Sequence, residues 1–179
     1  MPSPRTSAET NLVDSHLPSA NELYRDYLFH GRCFQVIQAL RSATSSSIKA
    51  TVCLSGVPND LAVLSGKYWI CPPPLYDAVA QLALIWRRLF DNQTALPSSL
   101  NGLIVHDYTK LTGLLDVNLI NIESSDLDMT FDALIYGPDN ELLLSVTGMT
   151  CTCSESLNRL NTEWLETVAL PDLAESSIL

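Results

Sequence analysis

Positive charge is scarce in this sequence. Its 179 residues include 10 Lys and Arg against 20 Asp and Glu, for a formal net charge of −10. A protein that binds nucleic acid needs a basic stripe to neutralise phosphates, so this balance argues against a nucleic-acid partner. An acidic protein partner would need a local basic patch, such as Arg25 with Arg32 or Arg87 with Arg88.

Metal-binding patterns are also missing. The chain has five Cys and three His, with no Cys-x-x-Cys and no paired His, so we expect no metal site. Cys151 and Cys153 alternate, which on a strand places both thiols on one face. The other three cysteines stand in apolar stretches and are interpreted as buried free thiols: Cys33, Cys53 and Cys71. Free thiols are typical of a reducing compartment, and we expect a cytoplasmic location.

No stretch has the length of a membrane span, and the first residues lack the apolar centre of a signal peptide. We therefore expect a soluble chain with no membrane association. Residues 1–20, rich in Ser, Pro, Thr and Asn, predict a flexible leader. The length fits one domain, which we place at residues 21–155. Residues 156–179 form a tail, and a short helix around Leu157–Val168 is one interpretation of its pattern.

The most informative stretch is Trp69–Phe90. A proline is favourable at the first position of a helix, and the residues after Pro74 run to Phe90 without Gly or Pro. Apolar residues recur there at three- and four-residue steps: Leu75, Val79, Leu82, Ile85, Trp86 and Leu89. Small and apolar residues fill most of the remaining surface. A helix that is apolar nearly all round is buried in the protein, so this pattern predicts a central, buried helix.

Asp77 and Gln81 are the polar residues of this helix before Arg87 and Arg88. They are four residues apart and therefore share one face. One interpretation is that Asp77 lies in the first helical turn, where the helix dipole favours a negative charge. The other is that Asp77 points into a cleft, where burial favours its neutral form and lets it donate a proton, while Gln81 orients its carboxyl group.

Patterns on both sides of the central helix predict a short helix, several strands and a loop. Ser19–Glu22 has the form of a capping box before a short helix that Gly31 could close in the left-handed conformation. Ser47–Leu54 alternates like a half-buried strand, and Asn92–Ser99 is interpreted as a loop. Four further stretches predict a strand meander: Leu103–Asp107, Leu114–Ile122, Asp128–Tyr136 and Glu141–Cys153. One long helix and an antiparallel sheet predict an α+β hot-dog fold, in which a curved sheet wraps around the central helix.

Three stretches carry a family resemblance. Leu23–Gln35 resembles the opening segment of the second half of dehydratase domains from polyketide and polyunsaturated-fatty-acid synthases. Pro73–Gln81 resembles the Pro-x-Leu-Leu-Asp-Ala-Ala-x-Gln motif of that half, and Ala95–Pro97 resembles its Leu-Pro segment. These dehydratases, like the related product-template cyclases, contain two hot-dog units. The likeness implies that this chain is a C-terminal hot-dog half.

The resemblance also implies roles for residues. In that family the Asp of the motif protonates the leaving 3-hydroxyl of an acyl chain, and the Gln orients it, which assigns these roles to Asp77 and Gln81. The other half supplies a His that removes the α-proton, within a His-x-x-x-Gly-x-x-x-x-Pro stretch that this chain lacks. Positions expected to contact substrate are His30, Gly31, Phe34, Tyr76 and Pro97. His30 occupies a position that is usually aromatic, Arg32 one that is usually Pro, and Pro72 one that is often His.

Three functions follow as hypotheses. The first is a dehydratase half-site for 3-hydroxyacyl thioesters on the phosphopantetheine of an acyl carrier protein, with no bound cofactor. Its partner would be a second hot-dog domain, either another copy or a His-bearing chain, and His30 acting as a local base is the alternative. The second is an acyl- or partner-binding module without chemistry, and the third is a cyclase that uses the same residues. His106 is interpreted as structural.

Overall fold

The computed structural model describes residues 17–57 and 70–161. Its central helix, α2, spans Pro73–Asp91 and confirms the prediction of a buried helix. Prolines occupy its first two positions, where a missing N–H costs no helical hydrogen bond. Asn92 ends the helix in the left-handed conformation, and its N–H donates to the carbonyl of Arg87. Twelve of its residues are buried, from Pro74 to Arg87.

A seven-stranded antiparallel sheet packs against this helix. The strands are β1 (Ile37–Thr44), β2 (Ser47–Cys53), β3 (Thr94–Ser99), β4 (Gly102–Val105), β5 (Leu114–Ser124), β6 (Asp128–Tyr136) and β7 (Leu142–Ser154). The order across the sheet is β1-β2-β5-β6-β7-β3, and β4 also pairs with β7. The helix contacts β2 and β5 in one half of the sheet order and β3 at the end of the other half.

Alternation of buried and exposed residues explains which face of β2, β5 and β6 meets the core. In β2, Ile48, Ala50 and Val52 are buried, as their spacing predicts. In β5 and β6 the inward residues are equally apolar, among them Val117, Leu119, Phe131, Ala133 and Ile135. Burial of these side chains in one core with the helix residues is the main source of stability for such a two-layer domain.

The segment predicted as the loop Asn92–Ser99 is a strand over most of its length. Residues Thr94–Ser99 form β3, which pairs with the C-terminal part of β7, while β4 pairs with the part of β7 before it. The two short strands thus share one edge of a long strand, and β4 does not continue a meander into β5. The loop prediction was wrong because it rested on Pro97. A proline is compatible with an edge strand, where its missing N–H interrupts no hydrogen bond between strands.

The segment before β1 begins as predicted and ends differently. Ser19 and Glu22 form the predicted capping box, with a helix α1 at Ala20–Glu22. The chain then makes a π-helical turn at Leu23–Tyr27, which is closed by a hydrogen bond from the Leu28 N–H to the Leu23 carbonyl at 2.9 Å. Gly31 does not close this helix in the left-handed conformation: its φ is −67°, and it precedes a 3-10 turn at Arg32–Phe34.

Other expectations meet the structure only in part. Cys151 and Cys153 are buried on one face of β7. Of the three cysteines predicted to be buried, Cys33 is exposed and Cys53 and Cys71 are half-buried. A 3-10 turn, Glu155–Asn158, follows β7; the leader up to residue 16 and most of the suggested helix Leu157–Val168 lie outside the described residues. Within the described ranges, no helix combines the length and apolarity needed to cross a bilayer.

Candidate active site

Asp77 lies in the second turn of α2, because the helix begins at Pro73. The interpretation that the helix dipole holds it in the first turn is therefore wrong: that turn contains no acidic residue, and the dipole effect fades beyond it. The Asp77 side chain is 30% exposed, so the carboxyl group is half-buried at the surface of an otherwise apolar helix. Such a carboxylate needs polar partners.

Gln81 supplies one of them. Its side-chain N–H₂ donates to Asp77 Oδ2 at 2.7 Å and to the carbonyl of Phe34 at 2.8 Å. Its Oε1 accepts a hydrogen bond from the Tyr24 hydroxyl at 3.0 Å. Gln81 is fully buried, and these three bonds fix which end of the amide faces Asp77. The predicted contact between Gln81 and the carboxyl group is therefore present.

Tyr24 extends this network to the backbone. Its hydroxyl oxygen accepts a hydrogen bond from the N–H of Ile37, at the start of β1, at 2.8 Å. Burial raises the pKa of Tyr24, so the hydroxyl stays protonated and keeps donating to Gln81. Sequence reasoning missed this residue, because one tyrosine in a short helical segment carries no signal for a partner that lies on a helix more than fifty residues away.

His30 is the second polar group at Asp77. Its Nε2 lies 3.4 Å from Asp77 Oδ2, and its side chain is 14% exposed. The ring stacks on Phe29 with centroids 4.6 Å apart, and the Gln35 side chain donates to the His30 carbonyl at 2.9 Å. Burial lowers the pKa of His30, while the neighbouring Asp77 charge opposes that shift. Burial is the larger of the two effects, so the balance favours the neutral imidazole.

The positions predicted to contact substrate separate into two groups. His30 and Phe34 join the Asp77 cluster, Phe34 through its backbone carbonyl. Gly31 is exposed beside them, and Pro97 is exposed on β3, opposite Cys151 of β7. The pKa of the half-buried Tyr76 is raised by burial and by the nearby thiols Cys151 and Cys71. In the described part of the chain, no hydrogen bond or ion pair joins Gly31, Tyr76 or Pro97 to Asp77.

Other candidate groups lie elsewhere. His106 Nε2 lies 3.2 Å from the Ser145 hydroxyl, between β4 and β7, which is the kind of contact that a structural histidine makes. Across residues 17–57 and 70–161, no three His, Cys, Asp or Glu side chains lie close enough to hold a metal ion together.

The arrangement has the elements of acid–base chemistry. Asp77 Oδ2 faces Gln81 and His30, whereas Oδ1 accepts no hydrogen bond from the described residues. A carboxyl group with one oxygen held and one free can present a proton to a ligand, and a neutral imidazole beside it can accept one.

Comparison with known protein families decides the class. The family model described as "Polyketide synthase dehydratase N-terminal domain" matches residues 2–161, most of the chain. The chain belongs to the polyketide synthase dehydratase family. The description names the N-terminal domain, whereas the Asp-containing motif resembles the second half, so the placement of this dehydratase-family chain as a C-terminal half stays a prediction.

Solved structures confirm the hot-dog fold of this dehydratase-family chain. The dehydratase domain from the CurJ module of curacin polyketide synthase is similar with a TM-score of 0.61 and 16% identity, over 83% of this chain and 50% of that one. The dehydratase domain of PpsC from Mycobacterium tuberculosis, in complex with C12:1-CoA, has a TM-score of 0.59 and 16% identity, over 86% and 56%. An Asp-to-Asn inactive mutant of CurK dehydratase has a TM-score of 0.61 and 18% identity, over 82% and 51%.

This dehydratase-family chain thus spans about half the length of the solved structures that it matches. No curated protein matched it in the sequence comparison.

Proposed function

We propose that this chain is a dehydratase-type hot-dog domain that acts on carrier-bound 3-hydroxyacyl thioesters. Asp77 is the acid that protonates the leaving 3-hydroxyl group, and Gln81 is the positioning residue that holds its carboxyl group. The product is the 2,3-unsaturated acyl thioester, formed with release of water.

The observation that carries this proposal is the asymmetric environment of the Asp77 carboxyl group. Gln81 holds Oδ2 at 2.7 Å and is itself held by Tyr24 and the Phe34 carbonyl. Oδ1 accepts no hydrogen bond from the described residues and is free to meet a substrate hydroxyl. A carboxyl group that is oriented before the substrate arrives loses little free energy to reorganisation when the reaction occurs.

Two facts about other dehydratases support the same chemistry. Inactive mutants of CurK dehydratase include one with His replaced by Phe and one with Asp replaced by Asn. The PpsC domain was solved with C12:1-CoA, an acyl thioester whose thiol arm is the phosphopantetheine that carrier proteins also bear. We accordingly propose an acyl carrier protein as the partner that presents the substrate.

Arg32 is a candidate contact for that carrier. The chain is strongly acidic, and so is the expected partner, so a local cation has to offset their repulsion. Arg25 is occupied, since it pairs with Asp26 at 2.6 Å. Arg32 is exposed two residues after His30 and has no salt bridge within the described ranges, so it can meet a phosphate or carboxylate at the site.

A second hot-dog domain is the other proposed partner. The matched dehydratase structures are about twice as long as the part that this chain covers, so a second copy or a different hot-dog chain would complete a similar assembly. The role of Asp77 as acid does not depend on which of these is present.

The test replaces Asp77 by Asn in the full chain. The substrate is a 3-hydroxyacyl thioester on a carrier protein, and the assay follows the enoyl product by mass spectrometry, with and without a His-bearing hot-dog domain. We expect product formation to fall by roughly 10²–10⁴-fold, with an unchanged melting temperature. Asp126→Asn, the same change at an exposed position, is the matched control. Equal product from the Asp77→Asn and wild-type chains would assign a binding role to the domain and contradict the proposal.

A further inference from the structure

We infer that His30 is the base that works with Asp77, so that one hot-dog unit carries both the acid and the base of the reaction. This inference rests on the proposed function and deepens it. The histidine motif of the resembled family is missing from this chain, and His30 lies in a different segment, which precedes β1. Its contact with Asp77 could not be expected from spacing.

The geometry of the pair suits elimination of water. The leaving hydroxyl is on C3 of the acyl chain and the departing proton is on C2, so acid and base must reach atoms on adjacent carbons. Each group needs to come within roughly 2.6–3.2 Å of its target. His30 Nε2 and the Asp77 carboxyl group are 3.4 Å apart, which places both within reach of one two-carbon unit.

The surroundings of His30 favour a role as base over a purely structural role. A structural histidine usually satisfies both ring nitrogens, but His30 Nδ1 is buried and has no hydrogen-bond partner among the described residues. Its polar contact is the one that Nε2 makes with Asp77. The ring is 14% exposed and stacks on Phe29, and these apolar surroundings keep it neutral and able to accept a proton.

The segment that carries His30 is held in place from several sides. The Gln35 side chain binds the His30 carbonyl, Gln81 binds the Phe34 carbonyl, and Tyr24 binds the Ile37 N–H. The same network orients the carboxyl group of Asp77. Acid and base are therefore positioned relative to each other by one set of hydrogen bonds, before any substrate is present.

The proton count closes within the pair. The C2–H bond breaks, its proton goes to His30 Nε2, and its electron pair forms the C2=C3 bond. The C3–O bond breaks as Asp77 gives its proton to the leaving hydroxyl, which departs as water. His30 is then protonated and Asp77 ionised, and passage of the proton from Nε2 to the Asp77 carboxylate through the released water, which can reach the free Oδ1, restores both groups for the next turnover.

The experiment uses the full chain without any added hot-dog domain and follows two reactions. The first is dehydration of a 3-hydroxyacyl carrier thioester. The second is exchange of the C2 proton for deuterium in D₂O with a saturated acyl thioester, which requires a base but no leaving group. For His30→Ala we expect a loss of roughly 10²-fold or more in both reactions. Added imidazole should restore part of each, because it supplies the missing base, whereas it cannot repair a merely structural defect.

Asp77→Asn separates this inference from the proposed function. If both hold, Asp77→Asn loses dehydration but keeps exchange, whereas His30→Ala loses both. Undiminished exchange in His30→Ala overturns the inference. The inference is also overturned if the wild-type chain is inactive in both reactions by itself but dehydrates the substrate once a His-bearing hot-dog domain is added. In that case, loss of dehydration on Asp77→Asn substitution in the mixture would still support the proposed function. If neither substitution changes dehydration, the proposed function fails as well.

Discussion

Both ends of the central helix carry polar groups in an apolar setting, but the hydrogen-bond partners of these groups differ between the two ends. At the C-terminal end, Arg87 is 3% exposed and makes an ion pair with Asp91 at 2.7 Å. It also donates to the Gln93 side chain and to the Ser125 carbonyl, each at 2.6 Å from Nη2. Near the N-terminal end, Asp77 has one oxygen held and one free, and His30 has a buried nitrogen without a partner among the described residues.

This difference separates a structural group from a reactive one. Arg87 joins the end of the helix to the β5–β6 connection, and its hydrogen bonds offset much of the cost of burying a charge. His30 keeps a buried ring nitrogen without a partner among the described residues, which costs stability unless a ligand uses it, and the partly exposed Asp77 keeps one carboxylate oxygen free of hydrogen bonds from that part of the chain. We therefore expect substitutions at the Arg87 end to change folding, and substitutions at the Asp77 end to change chemistry.

The largest effect on stability should come from Arg87→Met. This substitution keeps the side-chain volume but leaves the Ser125 carbonyl and Gln93 Oε1 without their donor, so we expect a loss of about 3 kcal/mol in the free energy of unfolding. Urea denaturation followed by circular dichroism measures it, and kcat of the folded fraction should stay unchanged. Arg88→Met, at the next and less buried residue, is the control and should have little effect. A large fall in kcat for Arg87→Met would contradict the assignment of Arg87 as a structural group.

Tyr24→Phe should have a smaller and mixed effect. Loss of the hydroxyl leaves the Ile37 N–H and Gln81 Oε1 without a partner, which should cost about 1–2 kcal/mol. The amide of Gln81 then loses one of its three restraints, so we expect kcat to fall roughly 10-fold with little change in KM. Steady-state kinetics on the carrier substrate checks this. Tyr27→Phe, in the same helical turn, is the control; an unchanged kcat in Tyr24→Phe would remove this tyrosine from the positioning network.

The smallest effect concerns pH. The pKa of His30 is lowered in the folded chain by burial, so below pH 6.5 the unfolded chain binds a proton that the folded chain resists. Stability linked to His30 is therefore fully present above 6.5, the ordinary pKa of histidine, and is lost as the pH falls from there through the lower pKa of the folded chain, with a slope of at most about 1.4 kcal/mol per pH unit. Unfolding of wild type and His30→Gln between pH 5 and 8 measures the difference. If the two curves stay parallel, His30 does not titrate differently on folding.

The central helix and most strands could be predicted because their signals are local. The three- and four-residue spacing from Leu75 to Leu89 is a property of one stretch, and so is the alternation in Ser47–Leu54. The β3 strand was missed because Pro97 and its neighbouring serines look like a loop until β7 is known to lie beside them. Pairing of β4 with β7 likewise depends on a partner about 40 residues away.

The site could be predicted only along the helix. Asp77 and Gln81 are one helical turn apart, so their contact follows from the period of the helix. The contacts of Tyr24 and His30 depend on the backbone conformation between Leu23 and Phe34. This segment includes a π-helical turn, which no residue pattern in the sequence predicts. The histidine nearest to the carboxyl group was therefore interpreted mainly as a substrate contact.

The position of the helix in the chain has a consequence for synthesis. The helix leaves the ribosome after β1 and β2, but the strands that complete its cover, β3 to β7, follow over the next 60 or so residues, and the last of them ends at Ser154. At a typical rate of roughly 5–20 residues per second, the helix spends several seconds with much of its apolar surface uncovered. A nascent chain stalled before β7 would present that surface to chaperones and to other nascent chains.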